Sequence, residues 1–464
     1  MCRRRIFALI PAQVLLILAS ACGGVTPQAT ALPSPTATST PPPSEVPTET
    51  QTAVTPEPQE CIALEGVVID QMETIETQVI TLRGLRPTKG VQRSLLTPEQ
   101  LRQQVIDDFL AGYNELESEE DAIVLALFGL LPSNFDLLDF YVELHSEQVA
   151  GYYDDETGTM VVVCGTGFGG SERATYAHAF THALLDQIFE VHSFDFKTGL
   201  RYSNDLCDTE SERCAAQQAL VQGDASLLEE QWINAYATSQ DFEDLIQFAK
   251  TFESSVFDSA PRFMQEDFLF PYLMGRLFVH HHYLKGGWAS VDALYEAPPT
   301  STEQILHPER YPYDLPVEFE PPDLLDALGE GWRELDHGVL GEWHTLIMLE
   351  EELPSPQAEQ AAEGWGGDYY VAFRNDAKEE NVLVLLQQWD TIRDTHEFTA
   401  AFRDYGDLRF GEALTSNATK AQWESFSGSA YFERQSNQTL LIMAPRESLA
   451  LTLYQFIRFP DRPK

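Results

Sequence analysis

The sequence predicts an α+β fold: a mainly helical domain carrying a small β-hairpin, followed by a smaller α+β domain. Three observations lead there. Two β-rich runs, 149–153 and 159–163, flank Asp154-Asp155-Glu156-Thr157-Gly158, which reads as a hairpin with Gly at the turn. Long helical stretches follow, over about 172–189, 210–236 and 266–283. Beyond a Pro-rich stretch at 312–322, short strands alternate with one helix.

The elements follow in chain order. Arg3, Arg4 and Arg5 open a positive segment, and 7–18 is a short, mostly apolar run followed by small residues. That is the pattern of a secretory signal, here 1–21, which is not part of the fold. The run Leu18-Ala19-Ser20-Ala21-Cys22-Gly23 resembles the bacterial lipobox, with Ala19 where Leu is commonest. The resemblance implies that Cys22 is lipidated and anchors an extracytoplasmic protein to the bacterial membrane. Residues 25–60 hold nine Pro and nine Thr and almost nothing to bury, so 22–60 reads as an anchor and stalk. Extended as polyproline II at about 3.1 Å per residue, the stalk reaches up to ~110 Å.

The remaining length divides into domains at 61–315 and 316–464, with the seam in the Pro-rich stretch. Thr97-Pro98-Glu99-Gln100 is a helix start, with a Thr cap, Pro at the first position and Gln three residues on. Further helices are expected at 119–130 and 133–145, and the helix ending near 283 stops at Gly286-Gly287. In the second domain, strands are expected at 368–373, 382–388, 423–432 and 439–443, with a helix at 395–405.

The net charge is −44, and loss of the signal takes it to −47. Such a surface repels nucleic acid and anionic headgroups. Six Cys become five once Cys2 leaves with the signal; Cys22 carries lipid, leaving Cys61, Cys164, Cys207 and Cys214. An even number in an oxidising setting reads as two disulfides. Three pairings exist, with Cys207–Cys214 as a local staple and Cys61–Cys164 as a long closure preferred. A four-Cys zinc site would want a Cys-x-x-Cys, which is absent.

His178-Ala179-Phe180-Thr181-His182 places two imidazoles one helical turn apart, a spacing that lets them share a zinc ion. In the H-E-x-x-H motif of zinc peptidases, the Glu after the first His is the general base. Ala179 stands there, and a methyl group accepts no proton. The segment Glu147-Gln148-Val149-Ala150-Gly151-Tyr152-Tyr153-Asp154, the hairpin, and Tyr176 through Gln187 together resemble the gluzincin class of zinc metallopeptidases. Phe270-Pro271-Tyr272, Gly275, Gly286-Gly287-Trp288 and 298–308 extend the likeness over most of 65–312, and it continues more weakly to the C-terminus.

The resemblance implies a third metal ligand from a second helix, a Glu within Glu-Gly-Asp-Ala. Here the stretch reads Gln222-Gly223-Asp224-Ala225, so the ligand position holds a neutral amide. The implied metal set is His178, His182 and a weak Gln222. Asp186 and Asp224 are implied partners orienting the imidazoles. His307 and Tyr311 are candidate relics of an oxyanion-stabilising role, although Ser301-x-x-Gln304 nearby reads simply as a helix cap.

His280-His281-His282 point in different directions from a helix and form no ligand set. Gly165-x-Gly167-x-x-Gly170 fits a dinucleotide fingerprint but lacks a βαβ context. Trp365 and Trp389 read as core.

The sequence therefore predicts a lipid-anchored pseudopeptidase that binds peptide or protein in a former active-site cleft. Strand 159–163 is expected to offer an edge to an extended ligand. The alternatives are a working zinc hydrolase with unorthodox ligands, or a non-catalytic structural envelope lipoprotein.

Overall fold

The computed structural model of the chain describes residues 66–459, except 98, 101, 104–105, 107–114, 133, 148–150, 155–156, 164–167, 192–209, 252–253, 320–321, 426–427 and 458. The expected signal, the lipidation site at Cys22 and the stalk lie outside the described residues, as do Cys61, Cys164 and Cys207. The fold is α+β, as the sequence predicts, with one three-stranded and one seven-stranded sheet. No described helix is long and apolar enough to cross a membrane.

The first half is built on four long helices: α1 (Gly66–Arg83), α4 (Gly170–Phe189), α5 (Ser211–Tyr236) and α8 (Arg262–Gly286). Between α1 and α4 lie α2 (Glu115–Phe128) and α3 (Leu137–Glu147); α6 (Ser239–Thr251) and α7 (Ser255–Ser259) connect α5 to α8. The expected cap at Thr97 forms in both directions. Gln100 N–H donates to Thr97 Oγ1 at 3.1 Å, and Thr97 N–H to Gln100 Oε1 at 2.9 Å. Gly287, at φ +66°, stops α8, since that backbone conformation costs Gly nothing.

The small sheet has the order β1-β3-β2, made of β1 (Gln92–Leu96), β2 (Gly151–Asp154) and β3 (Thr159–Val163). The expected hairpin forms, with Gly151 opposite Val162 and Asp154 opposite Thr159. However, β1 lies parallel along the other side of β3, with Gln92 opposite Thr159 and Leu96 opposite Val163. Strand β3 is therefore central, and the expectation that 159–163 is an edge strand is corrected. The outer strands are β1 and β2. Residues 92–96 carry no alternation that would mark them as a strand, and a parallel partner is a long-range choice that local pattern does not encode.

After α9 (Trp288–Asp292) and α10 (Thr302–Leu306), the chain passes α11 (Leu325–Leu328) and enters the antiparallel sheet β4-β5-β6-β10-β9-β8-β7. Its strands are β4 (Arg333–Gly338), β5 (Trp365–Asn375), β6 (Glu380–Trp389), β7 (Thr415–Ser416), β8 (Lys420–Ser425), β9 (Gly428–Gln435) and β10 (Gln438–Ala444). Helices α12 (Gly341–Glu350), α13 (Ser355–Ala362), α14 (Ile392–Phe410) and α15 (Glu447–Tyr454) complete it. The run expected as one strand, 423–432, is a hairpin: β8 and β9 pair with Trp423 opposite Ala430. Neither Gly nor Pro is conspicuous at that reversal until Gly428, so the turn was hidden.

Burial explains the β6 sequence. Leu383 and Leu385 face one apolar cluster, whereas Val382, Val384 and Leu386 face another under α15. A strand covered on both faces reads as an unbroken apolar run. The first of these clusters is continuous across the expected boundary at 315/316, from Phe128, Leu220 and Phe278 to Trp343, Trp389 and Phe402. Trp365 and Trp389 are fully buried in it, as the sequence reading had them.

Candidate functional site

Helix α4 presents two faces. One carries His178 and His182 toward α5; the other carries Glu172, Thr175, Tyr176 and Ala179 toward the small sheet. At about 100° per residue the histidines lie on one edge of a continuous buried arc and Glu172 and Tyr176 on the other, with Thr175 and Ala179 between them. The two histidines are buried, and so is Gln222 on α5.

The three side chains converge. His178 Nε2 and His182 Nε2 are 3.1 Å apart, and each lies 3.2 Å from Gln222 Oε1. Beside Gln222, helices α5 and α8 are in backbone contact. A Cβ on Gly223 would stand 2.2 Å from Gly275 O, and one on Gly275 would stand 2.0 Å from Ala219 O. Glycine at both positions lets the backbones meet, which sets the level of Gln222 against α4.

Glu229, two turns along α5 from Gln222, stands behind the pair. His178 Nδ1–H donates to Glu229 Oε2 at 3.0 Å. That bond fixes the tautomer, so His178 Nε2 offers a lone pair toward Gln222. The sequence reading missed Glu229. Its spacing of seven from Gln222 on the same helix was the available signal.

The residues expected around the imidazoles have other partners. Asp224 is fully buried and accepts both Arg83 Nε–H and Nη2–H at 2.9 Å, with Tyr295 O–H at 2.9 Å. Arg83 also pairs with Asp292 at 2.6 Å and lies over the Trp288 ring. Asp186 accepts Tyr153 O–H at 2.7 Å, tying β2 to α4. The carboxylate at His178 Nδ1 is thus Glu229, neither Asp186 nor Asp224.

His307 and Tyr311 are not brought to the histidine pair. His307 Nε2 bonds Glu342 Oε1 at 2.8 Å, and Glu342 holds the imidazole's pKa up despite burial. Tyr311 O–H donates to Ala297 O, with its ring against Phe278 and His282. The tyrosine ring beside the pair is Tyr272 on α8, 6.2 Å from the His178 ring between centroids. Of the His tract, His281 and His282 stack edge to face at the end of α8, and burial pushes His282 down to about 4. Cys214 is buried in α5. Gly165 and Gly167 lie outside the described residues.

Ala179 is buried and borders a small crevice between α4 and the sheet, lined also by Gly151, Val161, Phe168, Glu172 and Tyr176. Glu172 closes the start of α4 there, accepting Gly169 N–H at 3.0 Å. Tyr176 O–H donates to Glu76 at 2.6 Å, so its hydroxyl is held by α1.

The donor set fits a metal ion. Bonds of about 2.0–2.1 Å in a tetrahedral site require donors roughly 3.3 Å apart, close to the observed spacings. Two imidazoles and one oxygen leave a fourth position open. The amide is neutral, so the set lacks the anionic ligand of an ordinary catalytic site.

Residues 330–453 match a family model described as Domain of unknown function (DUF8575). That stretch coincides with the seven-stranded sheet and its helices, and does not include the histidine centre. No curated protein matches the chain, and neither does any solved structure.

Proposed function

We propose that the chain is a lipid-anchored, extracytoplasmic, gluzincin-like pseudopeptidase that holds zinc weakly and binds peptide or protein beside the histidine centre. The observation that carries the reading is the convergence of His178, His182 and Gln222 within 3.2 Å, next to a cleft where Ala179 occupies the general-base position. Zinc in such a place supplies Lewis acidity toward a bound carbonyl or water. The chain's own residues bind and orient. Glu229 holds the tautomer of His178, and Gln222 completes the set. Without a base at 179, general acid–base help worth roughly 10²–10⁴ in rate is lost. An extended ligand would pair with β2, the outer strand next to α4, in place of β3.

A metal-free reading has its own support. Turning the Gln222 amide over presents Nε2, whose two hydrogens satisfy both imidazole lone pairs. The centre is then a buried hydrogen-bond cluster.

Metal analysis and a peptide-library assay on the purified full-length chain in detergent separate the readings. The proposal expects up to one equivalent of zinc, lost in His178→Ala, and no chelator-sensitive cleavage. Gln222→Glu should tighten zinc, because an anionic oxygen replaces a neutral one. Chelator-sensitive cleavage by the unaltered chain would establish a working hydrolase instead. Absence of zinc both from that chain and from the Ala179→Glu, Gln222→Glu double variant would leave only the metal-free cluster.

A further inference from the structure

A second polar cluster lies some way along the chain, where α10 meets the end of β6. One carboxylate oxygen from each of Glu303, Asp314 and Asp390 lies within 4.8 Å of the others. Glu303 is on α10, Asp314 follows it in the Pro-rich seam, and Asp390 sits between β6 and α14. Arg310 donates to Glu303, approaches Asp390 at 3.6 Å and Glu363 at 3.4 Å, and is the nearest permanent cation.

The charge is nevertheless incomplete. Glu303 is fully buried, yet its Oε2 accepts no hydrogen bond. Glu342 Oε2, also buried, is in the same condition. A buried carboxylate oxygen that accepts no hydrogen bond, on a side chain grouped with two further carboxylates, is costly to keep out of water and is a candidate donor to a cation.

We propose that Glu303, Asp314 and Asp390 bind a calcium ion that fastens the 302–314 segment to the sheet domain. The donors are all hard oxygens, with no thiol or imidazole among the three, which selects against zinc. Two come from the 302–314 segment and one from the end of β6, and Asp390 is exposed, so the ion can complete its shell with water. Calcium accepts such irregular sets at 2.3–2.6 Å, whereas magnesium demands a near-ideal octahedron. This site is independent of the histidine centre and of the pseudopeptidase reading.

The test uses the full-length protein in detergent, stripped with EDTA and titrated with calcium chloride alone. Binding is followed by calorimetry and by the thermal midpoint. The proposal expects a midpoint that rises with calcium, half-saturating on the order of 10⁻⁴–10⁻³ M, the range of extracellular calcium modules. Asp390→Asn should weaken calcium by roughly 10–100-fold, and Asp314→Asn, as an independent isosteric change, should do the same. His178→Ala should leave the calcium response unmoved. The proposal is overturned by a folded wild-type chain that shows no response up to about 10 mM, or by an equal response to magnesium. It is also overturned if Asp390→Asn and Asp314→Asn both respond like wild type.

Discussion

The histidine centre and the seam between the two halves handle buried polarity in opposite ways. At the first, two imidazoles and an amide converge, and the buried charge nearby, Asp224, is matched by a bidentate Arg83. At the second, Glu303, Glu342, Glu212 and Asp368 are all buried carboxylates, and all four are pushed up by desolvation. The helical half therefore closes its charge internally, while the seam remains poised to take up protons or cations. Gln222 and Asp224 sharpen the contrast, because they are two residues apart on α5 and face different partners.

The largest expected effect follows from that pairing. Asp224→Ala leaves the buried Arg83 guanidinium with the partly exposed Asp292 as its remaining counter-charge. Removing one member of a buried pair costs about 3–5 kcal/mol. Chemical denaturation should show a loss of that size. A loss below about 1 kcal/mol, the worth of an exposed pair, would mean that Asp224 is solvated and that the two regions do not differ as described.

Next comes the helix crossing that positions Gln222. Gly275→Ala puts a methyl 2.0 Å from the Ala219 carbonyl oxygen, a backbone atom that cannot swing away. Overpacking of this kind costs about 3 kcal/mol. Because α5 must move, zinc content should fall together with stability. A variant that keeps wild-type zinc would show that the histidine centre does not depend on this crossing.

These two glycines also show what was legible in the sequence. The histidine spacing, the degenerate 179 and 222 positions and the long helices could be read directly, since each depends on residues close in the chain. Gly223 and Gly275 were visible as parts of the stretches that carry the gluzincin resemblance, but their reason, backbone contact between α5 and α8, needs both helices in place. Asp224 was misassigned because its partner Arg83 is 141 residues away. Strand β1 was invisible for the same reason, with its register set by β3. In the sheet domain, burial on both faces of β5 and β6 removed the alternation that would have fixed strand boundaries. The carboxylate cluster joins residues 303, 314 and 390, and no local pattern connects them.

The seam's excess of carboxylates predicts a pH dependence of definite sign. Burial pushes Glu212 up to about 7, although Thr302 N–H and Oγ1–H donate to it. Burial likewise takes Asp368 up to about 6. His344, held between Asp267 and Leu340 O, is also raised. Each binds its proton more tightly when folded. The stability they contribute is therefore full at low pH and is lost as pH rises through 6 to 7. Calcium-free denaturation should show stability falling by about 2 kcal/mol between pH 5 and pH 8. Glu212→Gln should reduce that slope without abolishing it, because Glu303, pushed up to about 9 by burial, contributes across the same range. An unchanged slope would move its origin away from Glu212.

The smallest expected effect separates support from ligation at one place. Thr391 follows Asp390 and caps α14: its Oγ1 accepts Arg393 N–H at 3.1 Å and Asp394 N–H at 3.3 Å. Asp394 returns the bond by accepting Thr391 N–H at 2.9 Å. Thr391→Ala removes the cap and should cost about 1 kcal/mol, read as a lower thermal midpoint with or without calcium. Its calcium titration should match wild type, because the lost contacts all belong to the helix end. Asp390→Asn should do the reverse, shifting the titration while hardly moving the calcium-free midpoint. If Thr391→Ala instead weakens calcium as strongly as Asp390→Asn, the cluster acts through the helix end, and the contrast between a closed helical half and an open seam loses its second term.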